Sequence, residues 1–191
     1  MHLLESYALI MGQKISSCFI HEEEIELPQR KYITFHSEHD KGTSRKYHRW
    51  EEVINLLIKN QNFDYDIVQI GENNKNINQN INNSYVGKTN YHSLAYLIKN
   101  SEMHLGYDSL PVHIASHFGK KIVAIYPQYK CYTGPYFSKE EDVIIIEPHY
   151  SINPHSSEKI KPSYSFNCKL MNTIPPERIY KSVLKLLNID E

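Results

Sequence analysis

Within six positions the chain places an acid, a hydroxyl, a proline and an imidazole: Asp108, Ser109, Pro111 and His113. They lie inside GYDSLPVHIASHFGKKIVAIY, Gly106 to Tyr126, which reads as a strand end, a tight turn, a helix and a second buried strand. Asp108 or Ser109 can cap that helix by accepting a bond from an unpaired backbone N–H. Pro111 suits the first helical turn, where it sacrifices no intrahelical bond. The result is a helix start with spare N–H donors and positive dipole character, set at the end of a strand. Such a place attracts phosphate. His113, one turn further on, can donate to a phosphate oxygen, and a nearby anion raises its pKa.

These residues need a frame. Apolar spacing predicts a first helix over residues 2 to 12, with Leu3, Leu4, Tyr7, Ala8 and Met11 on one stripe and Gly12 as its stop. A charged connector, His21 to Gln29, leads to a strand at Lys31–His36. Trp50, Val53, Ile54, Leu56 and Leu57 give a helix from Tyr47 to Lys59 its apolar face. DIVQIG, Asp66 to Gly71, is a second buried strand. The Asn-rich run Glu72 to Ser84 reads as a surface excursion. The next helix has Thr89 or Asn90 as cap and Leu94, Ala95, Leu97 and Ile98 inward. Further strands are predicted at MHLG, at KIVAIY and over Asp142 to Pro148. A loop rich in proline and serine reaches Thr173. A last helix, Pro176 to Leu187, carries Ile179, Val183, Leu186 and Leu187 on one side.

Short strands alternating with helices imply an α/β fold, a single Rossmann-like domain with a parallel sheet flanked by helices. Ligands on such sheets sit beyond the carboxyl ends of the strands. The turns after His36, Gly71, Gly106 and Tyr126 share that edge, where Lys46, Glu72, Lys88, Asp108, Ser109 and His113 converge. The predicted division is residues 1–30, a helix and connector, and residues 31–191, the Rossmann-like domain.

The chain has 191 residues, 40% hydrophobic and 23% charged, with a net charge of −1. That composition suits a globular domain with its own core and gives no electrostatic case for nucleic acid or an anionic membrane. No apolar run approaches the ~20 residues that span a bilayer. The N-terminal stretch lacks a basic lead-in, and Glu5 interrupts its apolar part, so it does not read as a signal peptide. Cys18, Cys131 and Cys168 make no CxxC pair, which fits a reducing, cytoplasmic setting.

Other chemistries compete for these residues. His113 and His117 share a helix face at i, i+4, but the glutamate of HExxH is missing. His36, His39 and Asp40 form HxxHD after a strand, a ligand trio by type and the basis of a metal-dependent hydrolase reading. Ser109 lacks a G-x-S-x-G elbow, and Cys131 has no evident histidine partner. No GxGxxG follows the first strand, so a redox dinucleotide site is not indicated.

Gly87-Lys88-Thr89, Asp108-Ser109-Leu110-Pro111-Val112-His113, Gly119 to Tyr126 and Gly134-Pro135-Tyr136 occur in one order. With KYITFHSEHDKGTSRKYHRWEEVINLL upstream, they resemble the C-terminal domain of family 9 glycosyltransferases, the heptosyltransferase group. The resemblance runs from about Lys31 to Leu187. It implies half of a GT-B fold, whose two Rossmann-like domains face each other across a cleft, this half holding the nucleotide diphosphate of a sugar donor. It implies that Asp108, Ser109 and His113 line the diphosphate, and that Arg45 or Lys46 neutralises its charge. It places Glu72 on the ribose or base, with Lys88 and Thr89 bordering the nucleoside. Leu110 stands where the family often has glycine.

The expected function is glycosyl transfer from a nucleotide-diphospho-sugar to a glycan or lipid-linked acceptor in cell-surface glycan synthesis. The leaving diphosphate would be stabilised by helix amides, basic side chains and His113 rather than a metal, and no cofactor is expected. The family's acceptor-activating carboxylate belongs to the other domain. Here Asp40 and Glu38 are only loose candidates for the base. The helix over residues 2 to 12 reads as the tail of that absent acceptor domain. Its stripe and that of residues 176 to 187 are expected to dock a second domain or subunit. The alternative is a non-catalytic module that binds a nucleotide sugar or needs a partner chain.

Overall fold

Runs of β-branched and aromatic residues, too short for helices, build the centre of the molecule. In the structure, a computed structural model, the described residues are 1–16, 19–37, 46–72, 81, 83–127, 130–148 and 170–190. Six strands form one sheet: β1 (Tyr32–His36), β2 (Asp66–Ile70), β3 (Asn83–Ser84), β4 (Met103–Tyr107), β5 (Lys121–Ile125) and β6 (Val143–Ile146). Their order is β3-β2-β1-β4-β5-β6, and every pairing is parallel. The helices are α1 (Leu3–Ile10), α2 (Trp50–Lys59), α3 (Tyr91–Lys99), α4 (Leu110–His117), the short α5 (Lys130–Thr133) and α6 (Pro176–Leu187). This is the α/β arrangement expected from the alternation. The strand order reverses between β1 and β4, and sheets of this kind bind ligands at such a point, outside the carboxyl ends of the strands.

Alternation along each strand feeds two cores. On one face Ile33, Phe35, Met103, Leu105, Val123 and Ile125 pack with Trp50, Val53, Ile54 and Leu57 of α2 and with Ile179, Val183 and Leu187 of α6. On the other, Tyr32, Val68, Ile70, Ile122 and Ala124 pack with Ala95, Leu97 and Ile98 of α3 and Val112 and Ala115 of α4.

The apolar stripe of α6 is therefore spent inside the domain, against α2 and the sheet, and does not face outward for docking. That corrects the expectation for residues 176 to 187. The helix over residues 2 to 12 differs: α1 buries no residue, and Tyr7, Ile10 and Met11 are 56%, 79% and 71% exposed. The Asn-rich run ends in a strand that its composition does not suggest. β3 adds two residues to the sheet edge, and Tyr85 N–H continues the ladder to the Gln69 carbonyl at 2.9 Å.

Candidate functional site

β4 delivers its last residues to the carboxyl edge of the sheet, and α4 begins there. Ser109 is the N-cap of α4 by backbone, but its side chain makes no cap hydrogen bond. Its hydroxyl lies 3.2 Å from the Tyr107 carbonyl and 3.0 Å from Nδ1 of His36, the last residue of β1. The expectation that Ser109 caps the helix is corrected accordingly. Pro111 occupies the second helical position, as its fixed φ favours. The Leu110 N–H, at the first position, has no intrahelical acceptor. The Leu110 side chain is 48% exposed and so does not fill the interior beneath that amide.

His113 is exposed, one turn into α4. Its imidazole is held below the ordinary histidine value, first by partial desolvation, with His2 adding to the effect and Asp108 opposing it. Asp108 also meets the buried Tyr126, which follows β5. Burial, then the Asp108 charge and a hydrogen bond to it, push the Tyr126 hydroxyl far up. That hydroxyl also lies 3.3 Å from the Thr133 carbonyl, so the loop after β5 is tied to the start of α4.

The N-terminal segment reaches the same neighbourhood. His2 Nδ1 accepts from Leu4 N–H at 3.1 Å, which leaves Nε2–H to donate to the Gly134 carbonyl at 3.0 Å. The His2 ring packs on Tyr136 at 4.8 Å between centroids. No sequence signal marks this contact, because a histidine at position 2 carries no pattern of its own.

Lys46 is exposed just past β1, and its successor Tyr47 anchors it. Tyr47 N–H donates to the Tyr107 hydroxyl at 2.7 Å, and Tyr47 Oη donates to the Ile174 carbonyl at 2.9 Å. Trp50 stands edge-on to Phe35, Tyr47 and Tyr107 at 5.2, 5.2 and 5.4 Å. This aromatic cage fastens the chain after Lys46 to the end of β4. Arg45, and with it Glu38, His39 and Asp40, lies outside the described residues.

Glu72 is exposed beyond β2 and Gly71. Gly87 abuts it: its N–H bonds the Gly71 carbonyl at 2.8 Å, its φ is +68°, and a Cβ there would lie 3.3 Å from the Glu72 carbonyl. Glycine suits this backbone on both counts. Lys88 Nζ donates to the Ser84 carbonyl at 2.8 Å, so it braces β3. Thr89 precedes Asn90, and Asn90 is the α3 cap, accepting from His92 and Ser93 N–H. The fold thus gathers His36, Asp108, Ser109 and His113 at the β1–β4 crossing, with Glu72 one strand away at the end of β2.

Among the described residues, no three or more His, Cys, Asp or Glu side chains are placed to hold a metal ion. A cavity of about 520 Å³ lies elsewhere, between the loop at Gly134–Glu140 and β6, with Val143, Ile144 and Ile145 in its wall. None of Asp108, Ser109 or His113 lines it. No helix among the described residues is long and apolar enough to cross a membrane.

Solved structures share this fold at low identity. The E. coli ADP-heptose lipopolysaccharide heptosyltransferase II is 18% identical, with a TM-score of 0.62 over 96% of this chain and 51% of that one. A family 9 glycosyltransferase from Veillonella parvula is 19% identical, with a TM-score of 0.62 over 83% of this chain and 46% of that one. TibC from enterotoxigenic E. coli, a dodecameric iron-containing heptosyltransferase solved with ADP-D-beta-D-heptose, is 13% identical, with a TM-score of 0.68 over 98% and 54%. The chain therefore spans about half the length of these proteins. No curated protein matches it in sequence. The family model for glycosyltransferase family 9 (heptosyltransferase) matches residues 12–161, which include β1 to β6 and the Asp108–His113 turn. With the parallel sheet and the shared architecture, that match assigns the chain to glycosyltransferase family 9, the heptosyltransferases.

Proposed function

We propose that this chain binds a nucleotide-diphospho-sugar and acts as the donor half of a glycosyl transfer to a glycan or lipid-linked acceptor. The supporting observation is the start of α4. At the strand-order reversal it presents the Leu110 amide and the exposed His113, and the Ser109 hydroxyl leaves the cap unoccupied. A diphosphate placed there meets a helix N-terminus and an imidazole, with Lys46 and its sequence neighbour Arg45 to balance its charge. Glu72 takes the ribose, with Thr89 beyond it. The donors of the family's structural relatives make ADP-heptose the first candidate.

Transfer needs the leaving diphosphate stabilised as its charge grows, and the Leu110 amide, the helix dipole and His113 do this without a metal. The base that deprotonates the acceptor is supplied by a second Rossmann-like domain or subunit, which also completes the cleft. The reaction takes place in the cytoplasm, where nucleotide sugars and reduced cysteines coexist. The alternative is a nucleotide-sugar-binding module or subunit that needs a partner chain to turn over.

A thermal-shift panel of nucleotides and nucleotide sugars tests binding, because a ligand of the native state raises its melting temperature. Shifts are expected with diphosphate nucleotides and lost in Asp108→Ala/His113→Ala. No shift at millimolar ligand overturns the proposal. Donor consumption with added acceptor, before and after chelation, then separates enzyme from binding subunit and tests metal independence.

A further inference from the structure

A hydrogen bond across the strand-order reversal ties the end of β1 to the start of α4. His36, half-buried at the end of β1, places Nδ1 3.0 Å from Ser109 Oγ. The same hydroxyl lies 3.2 Å from the Tyr107 carbonyl, which can only accept. Ser109 therefore gives its proton to Tyr107 and accepts from His36 Nδ1–H. That fixes the His36 tautomer and the hydroxyl rotamer together.

A serine at the N-cap ordinarily accepts from the second or third helical N–H. In α4 the second position is Pro111, which has none, and the third is Val112, whose N–H lies 3.1 Å from Ser109's own carbonyl. Freed from His36, the Ser109 hydroxyl would rotate toward Val112. Its lone pairs would then sit where phosphate oxygens must approach. We infer that His36 is a positioning residue for the donor diphosphate, acting through Ser109: it holds the hydroxyl against β4 and so keeps the mouth of α4 open to an anion. This rests on the reading of α4 as the diphosphate site.

The test is calorimetric binding of ADP, and of inorganic pyrophosphate to remove any dependence on the base. The proteins are the wild type, His36→Ala, His36→Asn, Ser109→Ala and His36→Ala/Ser109→Ala. His36→Ala is expected to weaken both ligands about tenfold, on the scale of one net hydrogen bond. Its ligand-free melting temperature should stay close to wild type. His36→Asn carries an N–H at the position of Nδ1 and should restore binding. The double variant should bind within about threefold of Ser109→Ala, since no hydroxyl remains to close the cap.

Equal binding by His36→Ala and wild type overturns the inference. So does an equal loss whether or not Ser109 is present, which would make His36 a direct phosphate ligand. A wild type that takes up neither ADP nor pyrophosphate overturns the diphosphate reading itself, and the inference with it. Should His36→Ala fail to fold, His36→Gln moves the donor one carbon outward and carries the same comparison with and without Ser109→Ala.

Discussion

His104 Nδ1 lies 3.0 Å from Thr34 Oγ1 in the middle of the sheet, and its other ring nitrogen is buried with no hydrogen-bond partner among the described residues. The Thr34 hydroxyl also points to the Met103 carbonyl at 3.4 Å, so the ring proton belongs on Nδ1 and the bare lone pair on Nε2. An orphan lone pair is cheaper than an orphan N–H, and this tautomer keeps the interior neutral. Burial first, then the neighbouring His36, depress the His104 pKa to about 3.

That depression makes stability depend on pH. The unfolded chain protonates His104 near the ordinary histidine value, and the folded one resists to about pH 3. Stability is therefore full at neutral pH and falls as pH drops through that window. Urea unfolding of wild type at pH 7 and pH 4.5 should show a loss of about 2–3 kcal/mol from this residue. His104→Gln, which cannot titrate, should lose less by that amount. Parallel pH slopes in the two proteins refute the assignment.

Gly106 answers a separate steric demand beside the same histidine. A Cβ there would lie 2.9 Å from the His36 carbonyl, 3.0 Å from His104 Nε2 and 3.2 Å from His36 Cβ. The first is backbone and cannot swing aside. Gly106→Ala should cost about 1–3 kcal/mol in urea unfolding, the usual penalty of overpacking. Because the shift falls on His36, ADP binding measured well below the unfolding transition should weaken as well. A variant as stable as wild type contradicts the close approach of β1 and β4.

The frame of this molecule is legible in its residues because each central strand is a short, buried, mostly apolar run, with His36 closing β1 and Gly71 following β2. The alternation of Ile33 and Phe35 against Tyr32 and Thr34 also leaves little choice of face. The Asp108–His113 turn is legible because proline and small polar residues mark a helix start. The partners of that turn are not. His36 and Ser109 are 73 residues apart, and His2 and Gly134 are 132 apart, so only the tertiary fold brings each pair together. β3 escapes notice because Asn83 and Ser84 have no strand propensity and are held by pairing with β2 alone. His104 sits inside an apolar strand, and nothing local announces that Thr34 lies opposite it in register.

With His113 on the donor diphosphate as proposed, binding should depend on pH. Its free pKa is lowered by its surroundings, so the ligand-free imidazole is neutral at pH 7.5. A bound diphosphate favours the charged form and raises that value. Binding then takes up a proton and tightens as pH falls below neutrality, levelling off below the free value. ADP-glucose suits the measurement, since its diphosphate does not titrate in this range. Affinity should rise by about threefold to tenfold per pH unit, the limit set by one proton. His113→Gln should bind more weakly with a flat profile. A wild-type profile as flat as the variant's removes His113 from the phosphate contact.

Leu110 bears on how closely phosphate can approach the helix. It occupies the first position of α4 with its side chain 48% exposed, and the amide it carries is the one left without an intrahelical acceptor. Two outcomes separate cleanly. If the side chain lies clear of the anion, Leu110→Gly changes ADP affinity by less than about threefold, with only the small cost of glycine at a helix start, under about 1 kcal/mol. If the leucine crowds the diphosphate, the same substitution tightens ADP by an order of magnitude or more, because the main-chain N–H at position 110 gains direct access. The exposure of the side chain predicts the first. Calorimetry on Leu110→Gly, with Leu110→Ala as an intermediate volume, decides it: a graded gain from Leu to Ala to Gly would place the side chain over the phosphate.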